Sequence, residues 1–248
     1  MPYLAVDTAT QTLTIAIGER NRLLAEASVV VKKNHSNRLM PLIESLFESL
    51  DLTPDELQGI VIGHGPGSYT GVRIGVTTGK LMAWSLKIPL VGVSSLDGLA
   101  GHYQDSDFLV CPMFDARRKQ AYCALYDGAA KIEPDALRKL DDLFPLIEKR
   151  LKERGTDSSL QQVMFLGDGA ENYRDLIVER LGGQAVFSAD RSKQLVRAAY
   201  LLEKGIVRIE AGETAEVERF APEYLQLVEA EAKLLGMRNP ASGCTDGA

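Results

Sequence analysis

The sequence predicts an α/β protein of two tandem lobes, each a mixed β-sheet flanked by helices. Three observations carry that prediction. The first hundred residues alternate between strand-like and helix-like periodicity. A repeat recurs at an offset of 108 residues, where "AVDTATQTLTIAI" (5–17) lies over "MFDARRKQAYCAL" (113–125) without a gap. And 248 residues, 45% of them hydrophobic and 25% charged, suffice for a substantial core.

The elements follow in order. "YLAVD" is a short apolar run. "QTLTIAIG" alternates, with Leu13, Ile15 and Ile17 on one face and Thr12, Thr14 and Ala16 on the other. "RLLAEASVVV" is a third strand, and three strands with short turns predict an antiparallel meander. The period then becomes helical: Leu39, Leu42, Ile43, Leu46, Phe47 and Leu50 predict a helix over 37–50, with Ser36 or Asn37 as its cap and Pro41 in its first turn. "GIVIG" reads as a buried strand, 70–86 as a helix and "PLVGV" as another strand.

In the second half, the repeat places Asp115 opposite Asp7, and Ala121, Cys123 and Leu125 opposite Leu13, Ile15 and Ile17. The strand "VMFLG" (163–167), a helix from about 171, the strand "AVFS" and a helix near 192–205 complete a shorter copy of the first half. The expected division is a first lobe over 1–105, a smaller second lobe over 106–205, and a helical return segment over 206–248 ending in a small, polar, disordered tail. Two such lobes, each opening with three strands and an acid at the end of the first, resemble the actin/hexokinase-like (ribonuclease H-like) architecture. That resemblance implies an interlobe cleft flanked by Asp7 and Asp115.

Charge and cysteine usage narrow the function. A net charge of −6 and a pI near 5.2 argue against a chain that grips nucleic acid unaided. Cys111, Cys123 and Cys244 form no framework, the N-terminus lacks the pattern of a signal peptide, and no window is apolar enough to span a membrane. A cytoplasmic chain is expected.

The glycine-rich run "GHGPGSYTGVRIGVTTGK" (63–80) invites a phosphate-loop reading, which fails. A P-loop before Gly79-Lys80 requires glycine where Ile74 stands and a hydroxyl where Leu81 stands. The dinucleotide fingerprint from Gly65 meets Thr70 at its third glycine. Gly71, Gly75 and Gly79, with Ala83, are instead four apart and share one helix face. Each interior glycine costs about 0.8–1.0 kcal/mol relative to alanine, so a backbone must approach closely there. That backbone belongs either to the protein's own sheet or to another chain. The preceding helix has an apolar arc of roughly 160°, against the roughly 100° that packing on one sheet requires, which favours a second contact. Hydrolase alternatives lack their residues: no H-E-x-x-H is present, and Pro66 stands where Ser68 would need a glycine for a nucleophile elbow.

"GPGSYTGVRIG", with "LAVDTAT", "HSNRLMPLI", "FDARRKQAY" and "APEYLQ" in this order, resembles the TsaB (YeaZ) family across nearly the whole chain. One departure is Gln226, where the family usually has arginine. The resemblance implies a non-catalytic subunit for threonylcarbamoylation of the adenosine 3′ of the tRNA anticodon. It would bind and activate a TsaD-like transferase together with a TsaE-like ATPase, meet tRNA only through that complex, and form a homodimer when the partner is absent. In the catalytic paralogue an H-x-x-x-H motif binds a metal; here Ser95 and Leu99 occupy those positions, so neither a metal nor a catalytic residue is expected. The nucleotide cleft, represented by Asp7, Asp115, Gly167 and Gly169, reads as degenerate, with ATP or ADP held only in an assembled complex, if at all. The expected partner interface comprises Leu39, Ile43, Leu46, Leu50, Gly71, Arg73, Gly75, Gly79 and Ala83. The alternative is an active ATPase or small-metabolite kinase of the same superfamily.

Overall fold

The computed structural model describes residues 1–31, 34–155 and 161–225. The expected tail and Gln226 lie outside these residues. Strands β1 (Tyr3–Asp7), β2 (Thr12–Glu19) and β3 (Arg22–Val30) form the meander. They are followed by α1 (His35–Ser49), β4 (Ile60–Gly63), α2 (Tyr69–Leu86), β5 (Leu90–Val93) and α3 (Ser95–Ala100). The second half runs β6 (Leu109–Asp115), β7 (Gln120–Asp127), β8 (Ala130–Lys139), α4 (Leu140–Glu153), β9 (Val163–Leu166), α5 (Asp168–Asn172), α6 (Arg174–Leu181), β10 (Ala185–Phe187) and α7 (Ala198–Glu210).

The two sheets have the same topology. The first is ordered β3-β2-β1-β4-β5 and the second β8-β7-β6-β9-β10. In each, the opening meander is antiparallel and the last two strands run parallel to the first. The two-lobed actin/hexokinase-like arrangement is therefore present, and the two halves repeat one another.

The repeat is displaced by one residue along its first strand. Leu4 and Val6 face the helical layer of the first lobe, while Tyr3 and Ala5 face the core between the lobes. In the second lobe Cys111 and Met113 face the helical layer. Leu4 and Val6 thus correspond to Cys111 and Met113, at an offset of 107, whereas Ile15 opposite Val6 and Cys123 opposite Met113 keep the offset of 108. Strand side chains alternate with period two, so this slip puts Asp7 and Asp115 on opposite faces. The expected equivalence of the two aspartates is corrected: Asp115 corresponds to Thr8.

Three apolar clusters hold the described residues together. One lies under α1 and α2, another under α4 and α6. The third joins Val61 and Val93 of the first sheet to Val110 and Met164 of the second through α3 and α7. Helix α7 packs on β1, β2, β4 and β5, so it belongs to the first lobe. The expected boundary at 205 is corrected, because it would cut α7 in its middle. Residues 211–225 do not form the expected helical return either. They lie along the first lobe, where the Ala215 N–H donates to the Leu90 carbonyl (2.8 Å) and the Glu223 N–H to the His64 carbonyl (3.0 Å).

Helix α1 starts two residues before the expected point. Its N-cap is Asn34, in the left-handed region at φ 70° and without a side-chain cap, rather than Ser36 or Asn37. Pro41 consequently lies in the second turn. The expected helix near 192–205 resolves into a 3₁₀ turn at Arg191–Gln194 followed by α7. No helix among the described residues is long and apolar enough to cross a membrane.

Candidate functional site

Helix α2 begins where Ser68, in extended conformation, accepts a hydrogen bond from the Gly71 N–H (3.3 Å). Its glycine row faces inward. A Cβ on Gly71 would lie 2.2 Å from the Thr8 carbonyl oxygen, one on Gly75 2.6 Å from Thr8 Oγ1, and one on Gly79 2.1 Å from Ile62 Cδ1. The Thr8 hydroxyl donates to the Gly71 carbonyl (2.7 Å) and accepts from the Gly75 N–H (3.0 Å), so a β1-end side chain is keyed into the helix backbone. Ala83 is buried on the same face.

The backbone that approaches the glycines is therefore the protein's own. The expectation that Gly71, Gly75, Gly79 and Ala83 form a partner face is corrected: the first sheet occupies them. Leu39 and Ile43 are likewise buried in the first core, 1% and 2% exposed, and cannot reach another chain. Leu46 and Leu50 are half-buried and Arg73 is exposed, so these three remain accessible.

The opposite arc of α2 carries Arg73, which the sequence placed in the partner interface, and Leu81 and Trp84, which it did not. At 100° per residue, Arg73, Thr77, Leu81 and Trp84 lie away from the glycine row. Trp84 is 65% exposed and Leu81 60%. Met40, at one edge of the apolar arc of α1, is 49% exposed. At the N-terminal end, the Arg73 guanidinium donates to the Tyr69 hydroxyl (2.5 Å), and Tyr69 stacks on Tyr224 with ring centroids 5.0 Å apart. Lys80 is no phosphate ligand. Its ammonium donates to the carbonyls of Glu218 (2.6 Å) and Phe220 (3.2 Å), fastening the final segment to the helix.

Between the lobes lies a cleft of about 850 Å³, bounded by the starts of α1 and α2 and by Asp115, Arg117 and Asp168 of the second lobe. Asp7 does not line it. The Asp7 carboxylate is fully buried, accepting from the Ser95 hydroxyl and from the Ala9 N–H (2.9 Å). Burial, only partly offset by these donors, pushes its pKa up to about 6. Its assignment to the cleft is corrected for that reason.

Asp115 does line the cleft, yet its oxygens are taken. It accepts from Tyr173 (2.7 Å), Asn172 (3.0 Å) and the Arg117 N–H (2.7 Å). Partial burial pushes its carboxyl up, but these donors and the nearby Arg117 outweigh it and hold the group below the usual carboxylate range. Gly167, at φ 91°, borders an adjoining cavity of about 600 Å³ and donates its N–H to Gln194 (2.7 Å). Gly169 is closed off, since a Cβ there would meet Met113 and the Asp115 nitrogen at 3.1 Å.

Comparison with known proteins decides the family. The family described as "TsaD: tRNA N6-adenosine threonylcarbamoyltransferase" matches residues 28–234. The "tRNA threonylcarbamoyladenosine biosynthesis protein TsaB" of Bacillus subtilis (strain 168) is 39% identical over 94% of this chain and 97% of its own length. The chain belongs to the TsaB family. The TsaB of Escherichia coli (strain K12) is 24% identical over 95% of this chain and 99% of its own. Among solved structures, YeaZ from Pseudomonas aeruginosa superposes with a TM-score of 0.71 at 26% identity, covering 90% of this chain and 99% of that one.

Within this TsaB-family chain the segment after β5 has a definite structural use. Ser95, at one of the positions where resemblance puts a metal-binding histidine of the paralogue, spends its hydroxyl on Asp7. Leu99, at the other, is wholly buried in the interlobe core. His64 Nδ1 lies 3.2 Å from a Glu223 carboxylate oxygen, and burial outweighs that carboxylate and pushes the imidazole pKa down. His35 is the first residue of α1, and its buried Nε2 has no hydrogen-bond partner among the described residues.

Proposed function

We propose that this chain is a non-catalytic subunit for threonylcarbamoylation of the adenosine 3′ of the tRNA anticodon. It binds and activates a TsaD-like transferase, acts with a TsaE-like ATPase in the cytoplasm, and meets tRNA only through that complex. The observation that carries this reading is the exposure of Trp84 and Leu81 on α2, beside Arg73. Aromatic and arginine side chains dominate the energetics of protein interfaces, and an exposed tryptophan on a rigid helix is an anchor awaiting a pocket. The proposed docking face is this arc of α2 with Met40, Leu46 and Leu50 of α1. In the partner's absence a second copy covers it.

The inner machinery supports the same reading. Asp7 accepts from Ser95, Asp115 accepts from Asn172 and Tyr173, and Leu99 offers no ligand, which supports a chain that carries no cofactor of its own. Nucleotide binds only in the assembled complex. The test is reconstitution: Trp84→Ala should lose affinity for the TsaD-like partner and tRNA modification together. ATP turnover or tRNA modification by the purified chain alone would replace this reading with that of an active enzyme.

A further inference from the structure

Among the described residues the two lobes are joined by two crossings, 101–108 and 188–197, which lie side by side: His102 Nε2 is 2.9 Å from the Leu195 carbonyl oxygen, and the Lys193 ammonium stands 4.7 Å from the Tyr103 ring centroid. Such an arrangement ordinarily permits hinge closure around a ligand. Here the hinge holds a charged cluster. Asp97 lies on α3, whose six residues are all buried. Its Oδ1 accepts from the Tyr126 hydroxyl on β7 (2.9 Å) and from Lys204 on α7 (2.8 Å), and Lys131 on β8 lies 3.4 Å away. Lys131 also donates to Asp135 (2.8 Å), so two carboxylates meet two ammonium groups. Both ammonium groups stand 5.5 Å from the Tyr126 ring centroid.

One carboxylate oxygen thus collects donors from both lobes. Asp97 is 8% exposed, and Tyr126 1%. Burial alone would push the Asp97 carboxyl up, but Lys131 and Lys204 outweigh it and hold it below the usual range. Rotating the second lobe would withdraw Tyr126 and Lys131 together. Asp97 would be left buried with a single cation, and an incompletely paired buried charge is strongly unfavourable. The apolar core around the cluster runs unbroken from Val61 and Val93 through Leu96 and Leu201 to Val110 and Met164, so the same rotation would also open the core.

We infer that Asp97 locks the interlobe hinge, holding the two lobes in one orientation whether or not a ligand occupies the cleft. This inference does not depend on which partner the outer face binds. It is tested by distance measurement between spin labels at Asn21→Cys and Glu179→Cys, both exposed, in a Cys244→Ser background; Cys111 and Cys123 are buried. The parent should give one narrow distance, the same for the chain alone and for the reconstituted complex loaded with a non-hydrolysable ATP analogue. Asp97→Asn and Tyr126→Phe should each broaden the distribution and add a second interlobe distance. Should Asp97→Asn fail to fold, Lys131→Met removes the second-lobe cation alone and carries the same expectation. A parent whose distance shifts in the loaded complex, or folded variants as narrow as the parent, would overturn the lock.

Discussion

The inner seam of α2 and its outer arc belong to one helix and obey opposite rules. On the inside, glycines, Thr8 and Ile62 meet at distances that exclude even a methyl group. On the outside, Trp84 and Leu81 stand in solvent. The difference teaches how one helix serves two tasks: the seam that keys it to its own sheet is closed packing with no room for an added atom, and the surface free to change is the one turned outward.

The largest expected effect is on the inner seam. Gly75→Leu collides with Thr8 and should destabilise the fold by roughly 3 kcal/mol or more. Thermal unfolding measures it, and partner affinity per folded molecule should be unchanged. A well-folded Gly75→Leu that binds its partner poorly would move the interface to the inner face and collapse the comparison.

Trp84→Ala should do the reverse. Truncation of an interface anchor costs about 2 kcal/mol or more in binding, a roughly thirtyfold loss of affinity. Stability should stay within about 0.5 kcal/mol of the parent, as for other exposed substitutions. Calorimetric titration with the TsaD-like partner, beside a melting curve, reads both. Unchanged affinity would leave the outer arc without a role.

Asp7 sharpens the inner side through pH. Its pKa is about 6 in the folded chain against 3.8 unfolded. Between those values the folded state binds more protons, so stability is greatest below the window and falls as pH rises through it, by on the order of 3 kcal/mol. Asp7→Asn keeps a hydrogen-bonding group for Ser95 and Ala9 while removing the buried charge. Stability at neutral pH should rise, and the slope between pH 4 and 6 should flatten, in urea unfolding at several pH values. An Asp7→Asn chain that is less stable at neutral pH with its slope intact would mean that the carboxylate is held charged.

The smallest effect is at the helix start. Ser68→Ala removes the cap of α2 and should cost about 1 kcal/mol, leaving the outer arc and partner binding intact. Loss of partner binding without loss of stability would place the 65–68 loop in the interface.

Much of this was legible in the chain of residues. Alternation in "QTLTIAIG" and the 3.6-residue spacing of Leu39 to Leu50 are local patterns, and local patterns decide whether a segment becomes a strand or a helix. The repeat foretold two lobes, and the topologies agree. Trp84 could also have been found. Once the glycine row is assigned to the sheet, a helical wheel turns Arg73, Leu81 and Trp84 outward.

What the sequence by itself determined was therefore the set of elements, their order and the duplication, because periodicity acts over a few residues. Three matters were decided only in the tertiary structure. The glycine row could face any close backbone, and only the position of Thr8 shows which. Asp7 and Asp115 align in the sequence, but one residue of slip along a strand reverses the face, and register depends on the partner strand. Asp97 carries no mark in "SSLDGLA"; its place is made by Tyr126, Lys131 and Lys204, which the fold brings to it from 29, 34 and 107 residues along the chain.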